Sequence, residues 1–177
     1  MSFRTIRRAG AYFRVADPTW ENPLDGRHAQ AAGGRWNPPD SFPVVYLNRD
    51  VPTARANVTL RFEGRPYQPE DLDPAEAPVL VTTDVPENEF VDVVTDAGCV
   101  SAGLPASYPR DANGGVIGRN VCQPIGQRAH DERRAGVACR SAAPRATRRG
   151  EELSWFERGD PLAVLERRRF DEWYWPT

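Results

Sequence analysis

The stretch GGRWNPPDSFPVVYL, residues 33–47, joins a glycine-rich turn through three prolines to an apolar strand. Consecutive glycines permit positive φ angles and let backbone N–H groups approach a ligand closely. Arg35 beside them offers a planar fork of donors that suits phosphate. A purely structural turn, with Trp36 buried and Arg35 solvated, is the alternative. The stretch is neither a G-x-G-x-x-G fingerprint nor a P-loop, so it indicates an anion site only together with other residues.

Segments rich in β-branched and aromatic residues surround this turn and are predicted to form strands. The predicted strands are 11–15, 43–48, 78–85, 89–94, 136–142 and 152–158. The C-terminal segment 162–175 could form either a strand or a short helix. Strands outnumber helices and do not alternate regularly with them, which favours an α+β fold with a mainly antiparallel sheet core.

Two helices are predicted from local signals. Asp50 can cap a helix and Pro52 is tolerated in a first turn, so a helix is predicted over 52–62. The segment 118–135 is predicted to be partly helical, because Pro124 and Gly126 interrupt an otherwise helical pattern.

The length and composition indicate one globular domain over residues 1–177. The chain has 40% hydrophobic and 27% charged residues, which is typical of a folded domain with its own core. Its three cysteines are far apart and only two histidines accompany them, which favours reduced thiols and argues against a metal site. The sequence shows neither a signal-peptide pattern nor an apolar segment of membrane-spanning length, so we expect a cytoplasmic protein with no membrane partner.

The net charge of −2 argues against direct nucleic-acid binding. The charges are nevertheless segregated along the chain. Residues 63–96 carry ten acids against one arginine, and residues 128–149 carry seven arginines against two acids. Two readings stay open: a solvated surface or pairing between the two segments, and an anion-binding or partner face.

Other enzyme classes find little support. There is no Ser-His-Asp order with a G-x-S-x-G elbow and no evident glycosidase pair of carboxylates. An acyl-transfer enzyme that uses Cys139 or Ser141 is a weak reading, because no base stands beside either residue in the sequence.

Taken together, five segments resemble the RES domain, the toxin component of RES–Xre toxin–antitoxin systems. The matching segments are FRVADPTWENPLDG (13–26), GGRWNPPDSFPVVYLNRDVPTARAN (33–57), QPIGQ (123–127), AGVACRSAA (135–143) and GEELSWFERGD (150–160). The turn, the prolines, the VVYL strand and the start of the next helix form the most specific part of the match.

The resemblance implies an ADP-ribosyltransferase-like fold and an enzyme that consumes NAD. Members release nicotinamide by transferring ADP-ribose to water, to phosphate or to a protein. NAD is then a substrate, no metal is required, and an antitoxin with a helix-turn-helix part covers the active site.

The family's site residues carry over to positions of this sequence. The two arginines fall on Arg14 and Arg35, the tyrosine on Tyr46 and the serine on Ser141. The arginines are expected to hold the diphosphate and Tyr46 to flank the nicotinamide ribose. Ser141 would orient an arginine or the nicotinamide amide. We also expect Gly34 and Trp36 to contribute to the NAD site, with Tyr46 or Trp36 stacking on the nicotinamide.

The family's acidic residue, eleven positions after the tyrosine, falls on Asn57. Cleavage of the ribose–nicotinamide bond builds positive charge on the sugar, so a nearby carboxylate lowers the barrier. Asn57 can bind a ribose hydroxyl but carries no charge. The enzyme would then be slow, or Glu152 or Glu63 would supply the carboxylate. As the alternative function, the protein is a non-catalytic NAD-binding or nucleotide-binding regulator.

Overall fold

Six strands and five helices make up the part of the chain that the computed structural model describes, residues 2–143 and 150–175. In chain order they are β1 (Thr5–Ala16), α1 (Arg27–Gln30), β2 (Val44–Asn48), α2 (Val51–Phe62), β3 (Val79–Val93), α3 (Asp96–Ala102), α4 (Arg119–Asp131), β4 (Gly136–Arg140), β5 (Glu151–Phe156), β6 (Glu166–Arg168) and α5 (Phe170–Trp173). One 3-10 turn lies at Pro69–Asp71.

The sheet is closed by its first strand. The strand order is β1-β2-β5-β4-β3-β6, and β1 pairs with β3 as well as with β2. Five strands therefore form a ring, and β6 extends β3 outside it. The β3–β4 pair is parallel and the other pairs are antiparallel. The predicted α+β class with a mainly antiparallel core is thus confirmed.

Strand β3 corrects one prediction, because 78–85 and 89–94 belong to one strand of 15 residues. Pro86 lies where the register with β1 shifts between Arg8 and Gly10, so that Ala9 faces two residues of β3. A proline cannot donate to the ladder, and a bulge is one of the few places where a strand accommodates it. The Pro-Glu-Asn sequence therefore marks a bulge within the strand.

The two predicted helices form, and local contacts explain their limits. The Asp50 side chain accepts a hydrogen bond of 2.8 Å from the Thr53 N–H and caps α2. Helix α4 continues through Pro124. Gly126 lets α4 pack directly on the turn before β2, because a Cβ at this position would lie 1.7 Å from the Trp36 carbonyl oxygen.

The remaining predicted elements agree with the structure. Predicted strand 136–142 corresponds to β4 and predicted strand 152–158 to β5, while the C-terminal segment contains both candidates, β6 and α5. None of the helices in the described ranges is long and apolar enough to cross a bilayer.

Within the described residues, one ion pair joins the two oppositely charged segments, beside the pairing of β3 with β4. Arg140 forms an ion pair with Asp96 and also donates to the Val94 carbonyl oxygen at 2.7 Å. Pairing between the segments is thus present at this point. The arginines at 145, 148 and 149 lie outside the described residues.

The apolar core has three parts. One is built from strand residues such as Tyr12, Phe90 and Leu153. A second connects the strands to the turn before β2 and to α3 and α4, and it contains Trp36. The third packs α2 and α5 against β1 and β3. This packing fixes both α2 and α4 relative to the ring, and a cleft opens beside them.

Candidate functional site

A cleft of about 560 Å³ lies at the ends of β1, β2 and β5, bordered by α2, the start of α1 and the 33–35 turn. Of the sequence-predicted site residues, five line it: Arg14, Gly34, Arg35, Tyr46 and Asn57. The cleft also includes Glu152, which the sequence offered as a substitute acid. Most of the predicted site is therefore brought together by the fold.

Glycines shape the 33–35 turn. Gly33 has a φ of +68°, a conformation that residues with a Cβ rarely adopt. A Cβ on Gly34 would lie 2.3 Å from the Tyr46 hydroxyl oxygen. The Gly34 N–H donates to the Asn37 carbonyl oxygen at 3.0 Å and closes the turn. The two glycines thus allow the turn to fold tightly against Tyr46.

The Tyr46 hydroxyl holds this turn in place. It accepts a hydrogen bond of 2.8 Å from the Trp36 N–H and donates one of 2.7 Å to Asn37 Oδ1. Burial raises the pKa of Tyr46 above its ordinary value, so the phenol stays neutral. Tyr46 therefore lines the cleft, while its hydroxyl is bound to the backbone of Trp36 and the side chain of Asn37.

Trp36 does not line the cleft. It is 1% exposed and packs in the core beside Tyr108, with the ring centroids 6.1 Å apart. The expected stacking of Trp36 on nicotinamide is therefore corrected: Trp36 is a buried structural residue, which was the alternative that the sequence left open. The apolar ring belongs to the core cluster that joins the turn, α3 and α4, where burial stabilises the fold.

Arg35 is anchored at one nitrogen. Its Nη1 donates to the Ile117 carbonyl oxygen at 2.9 Å, and no described residue accepts from its Nε or Nη2. Gln123 Nε2 donates to the Gly34 carbonyl oxygen at 3.0 Å, which ties α4 to the same turn. The QPIGQ segment of α4 thus supports the turn, and Arg35 keeps donors available for an anion.

Arg14 is a buried cation without a carboxylate contact among the described residues. It is 6% exposed, and its one hydrogen bond there is a long one, 3.5 Å to the Asp25 carbonyl oxygen. Burial lowers the pKa of Arg14 to about 10. Since a buried charge is costly unless it is paired, this guanidinium is suited to bind an anion in the cleft.

Two further arginines, Arg61 and Arg119, extend the positive lining of the cleft. Both are exposed, and within the described ranges neither side chain forms a hydrogen bond or an ion pair. The sequence reading missed both. Arg61 could have been predicted from the sequence, because positions 57 and 61 lie one turn apart on the same face of a helix.

Glu152, which also lines the cleft, is the centre of a hydrogen-bonded group. Its Oε1 accepts from Asn57 Nδ2 at 2.8 Å and from Ser141 Oγ at 2.6 Å. Asn57 Nδ2 also donates to Asn48 Oδ1 at 2.9 Å. No described residue donates to Glu152 Oε2. Ser141 thus reaches the site only through Glu152, and Asn57 orients the carboxylate from α2.

Alternation along β5 separates Glu152 from its neighbour Glu151. Successive strand residues point to opposite faces. Glu151 forms an ion pair with Arg8 at 2.6 Å, whereas Glu152 faces the cleft. Glu63, the other candidate acid, is exposed beyond the end of α2 and does not line the cleft.

An aromatic pair that the sequence reading missed forms part of the wall. The rings of Trp20 and His28 are stacked with centroids 3.8 Å apart and an interplanar angle of 5°. The Arg14 guanidinium lies 5.4 Å from the centroid of the Trp20 ring. Trp20 belongs to a segment that resembles the family, but nothing in its spacing predicts that it meets His28.

The cleft thus combines guanidinium groups, an aromatic wall and one oriented carboxylate. This set can bind a phosphate-containing ligand and stabilise positive charge near Glu152. Within residues 2–143 and 150–175, no group of three or more His, Cys, Asp or Glu side chains is arranged to hold a metal ion.

Comparisons with known proteins identify the family and a similar fold. A family model described as the RES domain matches residues 10–175. A chain of the M. tuberculosis MbcT–MbcA toxin–antitoxin complex superposes with a TM-score of 0.73 at 24% sequence identity, over 93% of this chain and 86% of that one. A comparison with curated protein sequences gives no significant match.

Proposed function

This chain belongs to the RES domain family, and from that premise we propose that it binds NAD and cleaves the bond between nicotinamide and ribose. The observation that carries the proposal is the Glu152 carboxylate, oriented by Asn57 and Ser141 in a cleft that also contains arginines. NAD presents an anionic diphosphate and a ribose that becomes positive as the bond breaks. Both features have a complementary group in this cleft.

Arg14 and Arg35 bind the diphosphate in this proposal. Arg14 is buried without a described carboxylate partner, and Arg35 has donors left after its bond to Ile117. Guanidinium suits this task because its fork can reach two phosphate oxygens at once. Binding the diphosphate also compensates the burial of Arg14, so part of the binding free energy comes from a cation that is otherwise unpaired.

Glu152 is the group that stabilises the transition state. As the glycosidic bond to nicotinamide breaks, the electron pair leaves with nicotinamide and the ribose gains oxocarbenium character. A carboxylate beside the ribose lowers the free energy of that state. Glu152 Oε1 is held by Asn57 and Ser141, and Oε2 remains to contact the sugar.

Asn57 is therefore a positioning residue in this proposal. Its side-chain amide carries no charge, but it donates hydrogen bonds to Glu152 and to Asn48 and so fixes the position of the carboxylate. Tyr46 supports the site through the turn that carries Arg35. The acceptor of ADP-ribose is water, phosphate or a protein, and the experiment below separates the first two.

A second candidate function is NAD binding without cleavage, in a regulatory protein. The observation that favours it is the amide at position 57, where the family resemblance expects an acid. The two functions differ in a single measurable product, free nicotinamide.

The experiment is to incubate the purified protein with NAD, with and without inorganic phosphate, and to measure nicotinamide and NAD binding. We expect release by the wild type, and a loss of at least a hundredfold in Glu152→Gln with NAD affinity retained. Glu63→Gln is the matched control, because Glu63 is exposed outside the cleft, and it should keep full activity. NAD binding without release would support the regulatory alternative.

We also propose that the protein is the toxin of a toxin–antitoxin pair, with an antitoxin that carries a helix-turn-helix part. The support is family membership and the likeness to a chain of a toxin–antitoxin complex. Induced expression should stop bacterial growth and deplete cellular NAD, and Glu152→Gln should do neither. Growth arrest by both forms would contradict an NAD-dependent toxin.

A further inference from the structure

We propose that the stacked pair of Trp20 and His28 is the binding platform for the adenine ring of the substrate. This inference rests on the proposed function, since it assigns the second base of the same dinucleotide. The pair lines the cleft and presents aromatic surface beside the arginines. Bases stack on such surfaces with little dependence on their identity.

The geometry of the pair suits a flat ligand. The two rings are nearly parallel, with an interplanar angle of 5° and a centroid separation of 3.8 Å. Trp20 is half-buried and His28 is exposed. His28 Nε2 lies 3.0 Å from the Asn22 carbonyl oxygen, a hydrogen bond that limits rotation of the imidazole. The His28 ring is thus held in the plane of the stack while remaining accessible to a ligand.

The neighbours of the pair indicate which base it takes. Arg14, the proposed diphosphate ligand, lies over the Trp20 ring. The partners of Glu152 are Asn57 and Ser141, and within the described residues no hydrogen bond joins this group to Trp20 or His28. The diphosphate of NAD separates its two nucleosides. With the nicotinamide ribose at Glu152, the aromatic pair across Arg14 falls on the adenine side.

A similar pair elsewhere in the protein provides a control. His130 stacks on Phe42 with centroids 4.0 Å apart, and neither residue lines the cleft. His130→Ala removes a stacked imidazole from the core surface. It therefore reports the effect of losing such a pair without touching the cleft.

The test is calorimetric titration with two fragments of NAD, so it does not depend on cleavage: ADP-ribose carries the adenine and lacks nicotinamide, and nicotinamide mononucleotide carries nicotinamide and lacks the adenine. We expect His28→Ala to weaken ADP-ribose binding about tenfold and nicotinamide mononucleotide binding less than twofold. His28→Phe, which keeps an aromatic face, should recover most of the affinity. His130→Ala should leave both ligands unchanged.

Three results would overturn the platform: an equal effect of His28→Ala on both ligands, no effect on either, or a larger effect on nicotinamide mononucleotide. Trp20→Phe is the second variant, expected to keep the ADP-ribose preference because it retains a ring under His28. If NAD is bound but not cleaved, the proposed reaction fails while the adenine platform stands. If ADP-ribose does not bind the wild type, the platform itself is refuted.

Discussion

The Asn57 amide donates a hydrogen bond of 2.8 Å to the Glu152 carboxylate, across the gap between helix α2 and strand β5. Position 57, where the family resemblance expects an acid, therefore carries an amide that contacts the acid Glu152. An amide at one position and a carboxylate at the other form a complementary pair. Two carboxylates at this distance would repel each other, and one of them would remain protonated.

The pair can be exchanged by mutation. Asn57→Glu should lower nicotinamide release at least tenfold, because it sets a second carboxylate against Glu152 and removes the donor that orients it. The double variant Asn57→Glu with Glu152→Gln restores one acid and one amide, and it should recover part of the activity. Steady-state rates of nicotinamide release test both. Faster release by Asn57→Glu alone would show that position 57 simply lacks its acid.

Arg14 should limit stability while it enables binding. Arg14→Met keeps an unbranched chain out to the position of Nε and removes the buried charge, so the free energy of unfolding should rise by about 2 kcal/mol. Urea denaturation measures this change. ADP-ribose should raise the melting temperature of the wild type and leave that of Arg14→Met unchanged. Arg7→Met, at an exposed arginine, is the control and should change neither quantity.

The difference in unfolding free energy between the wild type and Arg14→Met should depend on pH with a defined sign. The folded pKa of Arg14, about 10, lies below its ordinary value of 12.5. Below the folded pKa the cation is present in both states, and the whole penalty acts on the native state. As the pH rises through 10, the native state loses the proton first and the wild type gains stability relative to Arg14→Met. The difference should therefore be constant from pH 6 to 9, and a steep change there would contradict the assignment.

Gly126 should tolerate no larger residue. Gly126→Ala introduces a Cβ against the Trp36 carbonyl oxygen and forces α4 away from the turn that carries Arg35. We expect a loss of about 1 to 3 kcal/mol in unfolding free energy and weaker NAD binding. Gly115→Ala is a suitable control, because the nearest atoms to a Cβ there are those of the Asp111 side chain, at 3.1 Å. Native stability in Gly126→Ala would show that the two segments are not tightly packed.

The three cysteines should be inert in the native protein. Cys99, Cys122 and Cys139 are buried, and burial raises the pKa of each thiol. Thiolate is the reactive form, so a thiol reagent at pH 8 should label none of them until denaturant is added. Rapid labelling of Cys139 in the folded protein would revive the nucleophilic role that its sequence context leaves weak.

Local signals were sufficient where the structure depends on near neighbours. Asp50 and Pro52 predicted the start of α2 because a cap is made within three residues. The Pro86 bulge was not predictable, because it depends on the register of β1 against β3. The Trp20–His28 stack and the Asn57–Glu152 bond likewise join residues from separate elements. Glu152 could be named as a candidate from its sequence context, but only the fold shows that it reaches Asn57.

Trp36 was predicted to contact the ligand but lies in the core. A tryptophan in a glycine-rich turn is equally consistent with a ligand contact and with a core residue, and the family resemblance favoured the ligand. In the structure the ring lies in the core, and the absent Cβ of Gly126 opens the space in which the backbone of the turn meets α4. That glycine stands ninety residues later in the sequence, beyond the reach of any local pattern.

The closed ring of strands makes one side of the cleft more rigid than the other. Arg14, Tyr46 and Glu152 stand on strands of the ring, where β1 is paired on both sides and has no free edge along which to slip. Arg35, Trp20 and His28 stand outside it, on the turn, the loop and α1. Ligand entry can therefore rearrange the side of the cleft formed by the loop and α1 against a preorganised strand side, and the spacing between Arg14 and Glu152 stays the same for every ligand.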